Sequence, residues 1–399
     1  MTSHHLPHDS PWLLMLLAAL VSLGPLSIDM YLPAMPAMVE FFATDISGMH
    51  LTISVYLVGF SLFHLACGPL ADRFGRKPVL MGGIILYVIA CIGCSYADTV
   101  EELLLFRFLQ GAGACVGPTL ARTITRDIFG PTRAARALSL IAMLMALAPA
   151  VAPTLGGIML LVLPWSSIFI FLAVYGALVI FLVQRYVPES LAVPQSLRPA
   201  VILRNYRELV ANKHYVVVTL VGGLTYAGMI TYLSSSSFIF IEMLGVPVQY
   251  YGLIFLSTVL GYMTGSALSA RLSGRLKSET LMLIGTVVAL AAALTMLLFS
   301  QQFPTSIWAI IVPMTFFTTA LGLVLPHAMT IALRPFAHIA GTASALLGFT
   351  QMTLSAIASA AVGAVLTDTP LPMILAMIVI SIIALSLAIS SYKTSTNPE

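Results

Sequence analysis

Long apolar stretches with few charged side chains recur along the whole chain, and each is long enough to form a helix that crosses a membrane. A spanning helix needs about 20 mostly apolar residues. Of the 399 residues, 59% are hydrophobic and only 8% are charged, whereas a soluble domain has about 25% charged residues. This composition excludes a water-soluble globule and predicts an all-α integral membrane protein.

Charged residues, Pro and Gly separate twelve such stretches, which predicts twelve transmembrane helices. The longest polar connection, residues 188–214, divides them into two sets of six. We therefore expect an N-terminal six-helix bundle at 1–194, a linker at 195–214 and a C-terminal six-helix bundle at 215–399. The predicted spans cover residues 12–38, 48–70, 78–97, 101–125, 137–162, 167–187, 215–241, 250–270, 280–300, 305–333, 339–366 and 371–391.

The basic residues are distributed very unevenly between the two sides of the predicted membrane. Every one of the 18 Lys and Arg residues except Arg107 lies at or beyond the end of an even-numbered span. The other connections carry acidic residues instead, such as Glu40, Asp98 and Asp368. Because cytoplasmic loops retain Lys and Arg, this pattern predicts that both termini are cytoplasmic. The formal net charge of +3 is too small to indicate a nucleic-acid partner.

Two ionisable side chains, Asp29 and Arg107, lie clearly inside predicted spans 1 and 4. Each costs roughly 2.5–3.5 kcal/mol at a helix centre, so such residues usually face a bundle interior or an aqueous cavity. Counted from the acidic side at 1.5 Å per residue, they lie about 13 and 9 Å deep, so they could meet. A titratable carboxylate beside a guanidinium suits proton coupling. The alternative is a fixed ion pair that holds helices together.

Several polar side chains near these two residues are candidates for a substrate cavity. Prolines 25, 33 and 36 surround Asp29 and predict an irregular helix there. Gln110 lies on the same side of span 4 as Arg107, where it contacts substrate or hydrogen-bonds a neighbouring helix. His64 is a second titratable candidate, or a hydrogen-bonding partner of an adjacent helix. Aromatic side chains with polar tips suit a cavity for partly apolar ligands or ordinary packing: Tyr31, Tyr56, Tyr226 and Tyr232.

Two further motifs indicate moving parts. Span 5 contains small residues and a proline at Ala152, Pro153, Gly156 and Gly157, which suits a gating helix or close helix packing. The connection between spans 2 and 3 suits a cytoplasmic gate loop, or a basic turn that only fixes topology. Its candidate residues are Gly68, Asp72, Arg73, Gly75, Arg76 and Lys77.

These motifs resemble the major facilitator superfamily, and within it the drug:H+ antiporters of the bicyclomycin-resistance (Bcr/CflA) type. The segment 68–77 is similar to the superfamily's loop signature after span 2, and Arg107 with Gln110-Gly111 is similar to its span 4 signature. The segment 27–33 resembles span 1 of the drug antiporters. Their span 5 signature usually reads Gly-Pro-x-x-Gly-Gly, and here Ala152 replaces the first glycine.

The resemblance implies a central cavity that opens alternately to each side of a bacterial inner membrane. It implies export of small organic compounds against inward proton flow, with Asp29 and Arg107 as coupling residues and Asp72 with its basic neighbours as a cytoplasmic latch. It further implies a monomer. The alternatives are a metabolite exporter, an uptake symporter of the same fold, or a passive channel. We expect no enzyme activity, cofactor or metal, because no catalytic constellation or metal-ligand set is recognisable.

Overall fold

The computed structural model describes residues 11–145, 148–191 and 199–396, and these residues form fifteen α-helices and no strand. The helices are α1 (Pro11–Asp29), α2 (Met35–Phe41), α3 (Ile46–Phe74), α4 (Arg76–Ser95), α5 (Val100–Ala114), α6 (Val116–Met145), α7 (Ala148–Met159), α8 (Ser166–Tyr186), α9 (Pro199–Ala211), α10 (Lys213–Ser237), α11 (Val248–Leu272), α12 (Ser278–Gln302), α13 (Trp308–Leu333), α14 (Ala340–Gly363) and α15 (Leu371–Thr396).

Short non-α segments extend three of the membrane helices. A 3-10 turn at Leu32–Ala34 joins α1 to α2, and another at Arg334–Ile339 joins α13 to α14. A π-helix at Phe238–Met243 continues α10. The prediction of an irregular first span is therefore confirmed, since the α-helix ends at Asp29 in this proline-rich stretch.

Eleven helical segments of the described chain are long and apolar enough to cross a membrane. In this count α1 and α2 form one segment, and α5 forms one with the first part of α6. The eleven segments coincide with eleven of the twelve predicted spans. The predicted fifth span, 137–162, corresponds to the last part of α6 and to the shorter apolar helix α7. Twelve spans and cytoplasmic termini remain predictions.

Local sequence explains where several helices begin. Asp45 caps α3 by accepting a hydrogen bond from Gly48 N at 2.8 Å, and Asn212 caps α10 by accepting one from Tyr215 N at 2.8 Å. Thr99 caps α5 in the same way. Gly75 separates α3 from α4 at a φ of +102°, a conformation that favours glycine.

The helices pack as two halves, α1–α8 and α10–α15. In the N-terminal half α5 packs against α3 and α4, and in the C-terminal half α13 packs against α11 and α12. The two largest contacts between the halves are those of α3 with α14 and of α7 with α11. We call the end with the 68–77 loop the basic end, and the end with Glu40 and Asp98 the acidic end.

The predicted linker contains a helix that the sequence reasoning did not anticipate. Helix α9 spans most of residues 195–214 and packs against α10 and α14. Its Tyr206 hydroxyl donates a hydrogen bond to the Leu65 carbonyl of α3 at 3.4 Å. The linker thus contacts both halves near the basic end.

Candidate proton-coupling and substrate site

Asp29 lies at the point where α1 stops being an α-helix. Its side chain is buried, with only 5% of the residue exposed. The ion pairs of the described residues do not include Asp29. A buried carboxylate without a cationic partner is costly to keep charged, so this group is suited to exchange a proton when its surroundings change.

Arg107 is fully buried on α5 and is held by aromatic rings rather than by a carboxylate. Its guanidinium carbon lies 4.5 Å from the ring centre of Tyr31 and 4.5 Å from that of Tyr56. Nη1 donates hydrogen bonds to the Ser27 carbonyl at 3.0 Å and to Gln110 Oε1 at 2.6 Å. Cation–π contacts and hydrogen bonds therefore fix this charge inside the N-terminal half.

The sequence-based depths allowed Asp29 and Arg107 to meet, but the structure does not pair them. Arg107 instead reaches the carbonyl of Ser27, two residues before Asp29. Its Nε and Nη2 have no hydrogen-bond partner among the described residues. Counting residues along a helix predicts how deep a side chain lies in the membrane. It does not predict the direction in which the side chain points, because that direction depends on helix packing.

Gln110 and Tyr31, two predicted cavity residues, lie in the interior of the N-terminal half. Gln110 is buried, and its Nε2 donates to Cys91 Sγ at 3.1 Å. The Tyr31 hydroxyl lies 2.6 Å from Thr52 Oγ1. Both side chains therefore surround Arg107 and position its guanidinium, and contact with substrate stays a prediction.

Helix α7 brings the second half close to Asp29. A Cβ atom added to Gly156 would overlap the carbonyl of Met30, the residue after Asp29. One added to Gly157 would overlap the carbonyl of Val248 at the start of α11. Ala152 and Pro153, the other predicted residues of this motif, are also buried. The small residues thus allow backbone contact between α1, α7 and α11.

Tyr226 of α10 is a predicted cavity residue of the C-terminal half, and it is half-buried. It lies within electrostatic range of Asp29 and of Tyr262 on α11. Tyr232 is buried instead against Phe240 and Phe255. Tyr226 and Tyr251 of the C-terminal half thus both interact electrostatically with Asp29, and contact of Tyr226 or Tyr232 with substrate stays a prediction.

The 68–77 loop forms a network of charges at the basic end. Arg76 pairs with Asp72, and its Nε lies 3.4 Å from Asp127 Oδ2 of α6. The backbone N–H groups of Arg76 and Lys77 donate to the Glu189 carboxylate at 3.0 and 3.1 Å. A Cβ atom at Gly75 would overlap the same carboxylate at 2.6 Å, so glycine fits the close approach as well as the positive φ.

The contacts of this loop lie within one half. Lys77 Nζ donates to the carbonyls of Gln184 and Val187 at 3.0 and 2.8 Å. Arg73 is exposed and Gly68 has open space around it. Among the described residues, the loop's hydrogen bonds and ion pairs join α3 and α4 to α6, to the end of α8 and to the chain just after it. The sequence reasoning missed Asp127 and Glu189, although their negative charge at a basic end was a usable signal.

His64 lies at the boundary between the halves. The Thr119 hydroxyl donates to the Cys115 carbonyl at 2.7 Å, so His64 Nδ1 donates to Thr119 Oγ1 at 3.0 Å. The imidazole stacks on Phe60 with ring centres 5.9 Å apart. A Cβ atom at Gly348 of α14 would meet His64 Nε2 at 2.8 Å. His64 is therefore a packed, hydrogen-bonded residue of the α3–α14 contact.

Comparison with known sequences gives matches that cover most of this chain. The chain is 32% identical over 378 residues to the uncharacterized MFS-type transporter YdgK of Bacillus subtilis (strain 168), with 92% of each protein covered. It is 33% identical over 339 residues to the multidrug resistance protein MdtL of Escherichia coli (strain K12 / DH10B), with 84% of each covered. The first relative is named as a transporter and the second as a multidrug resistance protein.

Solved structures of membrane transporters have the same fold as this chain. The D-xylose-proton symporter superposes with a TM-score of 0.72 at 16% identity, covering 96% of this chain and 98% of that one. A mutant of the nucleoside transporter NupG superposes with a TM-score of 0.75 at 15% identity, covering 95% and 98%. Residues 15–360 match the family model of the Major Facilitator Superfamily. With its two joined helical halves, this multi-pass chain belongs to the Major Facilitator Superfamily and is a transporter, not an enzyme.

Proposed function

We propose that this transporter is a proton-coupled antiporter of the Bcr/CflA drug-exporter type. It exports small organic compounds, drugs or antibiotics among them, across a bacterial inner membrane. The observation that carries the proposal is that the carboxyl group of Asp29 is buried and forms no ion pair with a cationic side chain of the described residues. The multidrug name of the MdtL relative supports the substrate class.

The position of Asp29 suits a group whose protonation follows the movement of the two halves. Met30 packs directly against Gly156 of α7, and α7 packs against α11 of the other half. Tyr226 of α10 interacts electrostatically with Asp29. A rocking motion of the halves would therefore change both the water access and the neighbours of Asp29.

In the proposed cycle, Asp29 gains a proton when the cavity opens to the acidic end, and substrate leaves. The carboxyl loses that proton to the cytoplasm after the cavity opens to the basic end, and the ionised group then favours binding of the next substrate. Proton and substrate exclude each other at one site, which is the condition for exchange. The orientation follows the positive-inside rule, with α7 and the end of α6 as the fifth of twelve spans.

Arg107 contributes a fixed positive charge to this cycle. Two of its N–H-bearing nitrogens, Nε and Nη2, have no partner within the described chain. These donors are available to a carboxylate or to a polar substrate group when α1 shifts relative to α5. We propose that Arg107 and Asp29 interact in one conformation and separate in the other. The protein works as a monomer, needs no cofactor and is driven by the proton gradient.

The test is reconstitution into liposomes that contain a pH-sensitive dye. Ethidium and a panel of small organic antibiotics are added, and proton movement is recorded for wild type, Asp29→Asn and Asp98→Asn. Asp98 is an exposed carboxylate at the acidic end, so its variant is the matched control. We expect substrate-dependent proton movement in wild type and Asp98→Asn, and none in Asp29→Asn.

Three other outcomes contradict parts of the proposal. Normal coupling in Asp29→Asn would show that Asp29 is not the coupling residue, and His64 would then be the next candidate. Substrate flux that ignores a pH gradient would indicate a passive facilitator. Co-transport of substrate and protons in the same direction would identify an uptake symporter.

A further inference from the structure

His50 is a buried histidine at the acidic end and lies outside every motif discussed above. It lies near the start of α3 and is 0% exposed. The hydrogen bond and the ring stacking of its side chain are both made with the other half of the transporter. His50 therefore belongs to the surface along which the halves must part for the acidic end to open.

Three contacts hold the imidazole against the C-terminal half. Nδ1 lies 3.3 Å from the Ser359 carbonyl of α14. The ring stacks on Phe238, at the start of the π-helix after α10, with centres 5.8 Å apart and planes 20° apart. A Cβ atom added to Gly363 would overlap the His50 side chain, so α14 accommodates this histidine only because residue 363 is glycine.

The hydrogen bond determines which protonation form fits this interface. A carbonyl oxygen only accepts, so Nδ1 of His50 carries the proton and Nε2 of the neutral ring is an acceptor. His50 Nε2 is buried and has no hydrogen-bond partner among the described residues, and neither does the hydroxyl of Ser359. A second proton on Nε2 would bury a charge and an unpaired donor together, which the closed interface opposes.

Charged groups around this end do not compensate for that charge. Asp45 of the α3 cap accepts from Gly48 N, and Glu242 of the π-helix lies near Glu40 of α2. Asp368 is exposed beyond the end of α14. Neither these four residues nor the exposed Asp98, Glu101 and Glu102 around the start of α5 are ion-pair or hydrogen-bond partners of His50 in the described chain. The Phe238 ring attracts a cation, but more weakly than water solvates one.

We propose that His50 is a proton-operated lock between the two halves at the acidic end. The neutral imidazole holds α3 against α14 and the π-helix. Protonation breaks the lock, because the imidazolium is solvated only when the halves part and water reaches Nε2. Under the proposed orientation this end faces outward, so external acid would open the transporter toward the side from which protons reach Asp29.

The lock extends the proposed function but is tested apart from it, in an Asp29→Asn background in which Asp29 cannot titrate. Spin labels are placed on Tyr96→Cys and Thr367→Cys, two exposed positions at the acidic ends of different halves. The four native cysteines are buried, and protein without the introduced pair measures their background labelling. Distance distributions are recorded in nanodiscs at about pH 8 and about pH 5.5, on either side of the usual titration range of histidine.

We expect the ratio of wide to narrow distances to rise by about an order of magnitude at the lower pH when His50 is present. His50→Gln keeps a donor for the Ser359 carbonyl but cannot become charged, so its distances should stay narrow at both values. Gly363→Ala displaces the His50 side chain, so its distances should be wide at both. His338→Gln, at an exposed histidine of the basic end, should behave as the parent.

An equal pH response with His50→Gln and with His50 would overturn the proposal, as would distances that ignore pH while His50 is present. Wide distances in His50→Gln at both values would also reject it, because the lock would then need more than the neutral hydrogen bond. The wild-type Asp29 protein is measured in parallel. A pH response that requires Asp29 would assign the opening to the coupling carboxylate alone.

Discussion

Arg107 of α5 donates a hydrogen bond from Nη1 to the backbone carbonyl of Ser27 at 3.0 Å. Ser27 belongs to the last turn of α1, so the guanidinium holds the end of a helix that stops at Asp29. The two functional candidates are therefore coupled through the backbone of α1, without a direct ion pair. Any shift of α1 that frees this carbonyl also changes the surroundings of the carboxyl.

This arrangement predicts that Arg107→Lys disables transport although the positive charge is kept. Lysine has no planar fork to lie between the rings of Tyr31 and Tyr56 while donating to Ser27 and Gln110. A hydrogen bond to a charged group is worth about 1.5–3 kcal/mol, so we expect ethidium-dependent proton movement to fall about 10- to 100-fold.

Arg185→Lys is the matched control for that measurement. Arg185 also lies over a tyrosine ring, 5.8 Å from the centre of Tyr186, but it is exposed on α8. Its replacement should leave proton movement unchanged. Activity of Arg107→Lys equal to that of Arg185→Lys would show that charge alone suffices at position 107.

Hydropathy alone predicted the membrane helices, because each apolar stretch of helical length has few other options in a bilayer. The prolines around Asp29 likewise predicted the break in α1. The sequence predicted one continuous fifth span, but this stretch is divided between the end of α6 and the shorter helix α7. The contacts of α7 with α1 and α11 depend on tertiary packing, which hydropathy does not report. Helix α9 was not predicted, because its polar residues indicated a linker between the two bundles.

The sequence singled out candidate residues for the site but did not give their contacts. Asp29 and Arg107 stand out because a charge within an apolar stretch is costly. The rings around Arg107 and the partners of His50 come from distant parts of the chain. His50 and Ser359, for example, are 309 positions apart. A single sequence carries no signal for such pairs, so it allowed a direct contact between Asp29 and Arg107 that the structure does not contain.

Gly156→Ala should impair both stability and transport. Its Cβ would press on the Met30 carbonyl beside Asp29, and overpacking of this kind costs about 1–3 kcal/mol. We expect a lower thermal unfolding temperature in detergent and weaker proton coupling in liposomes. Gly82→Ala on α4 has open space around its Cβ and should change neither quantity. Equal behaviour of the two variants would argue against backbone contact at Gly156.

Arg76→Ala should destabilise the N-terminal half more than Arg73→Ala. Arg76 is largely buried, with 12% of its side chain exposed, and it pairs with Asp72 and Asp127. Arg73 is exposed. We expect thermal unfolding in detergent to show a loss of about 1 kcal/mol for Arg76→Ala and almost none for Arg73→Ala. Equal losses would mean that the loop acts through its overall charge instead of these specific pairs.

His64→Asn should slow transport without uncoupling it. His64 is fixed by Thr119 and by its stacking on Phe60, and asparagine keeps a donor for Thr119 while it cannot titrate. The lost stacking on Phe60 and packing against α14 should slow rocking. An aromatic pair is worth about 0.5–1.5 kcal/mol, so we expect the ethidium transport rate to fall by no more than about tenfold. The number of protons moved per ethidium should equal that of wild type, because Asp29 is intact.

A ratio as low as that of Asp29→Asn would instead make His64 a coupling residue. In that case Thr119→Val, which removes the hydrogen-bond partner of His64, would shift the pH at which coupling is lost.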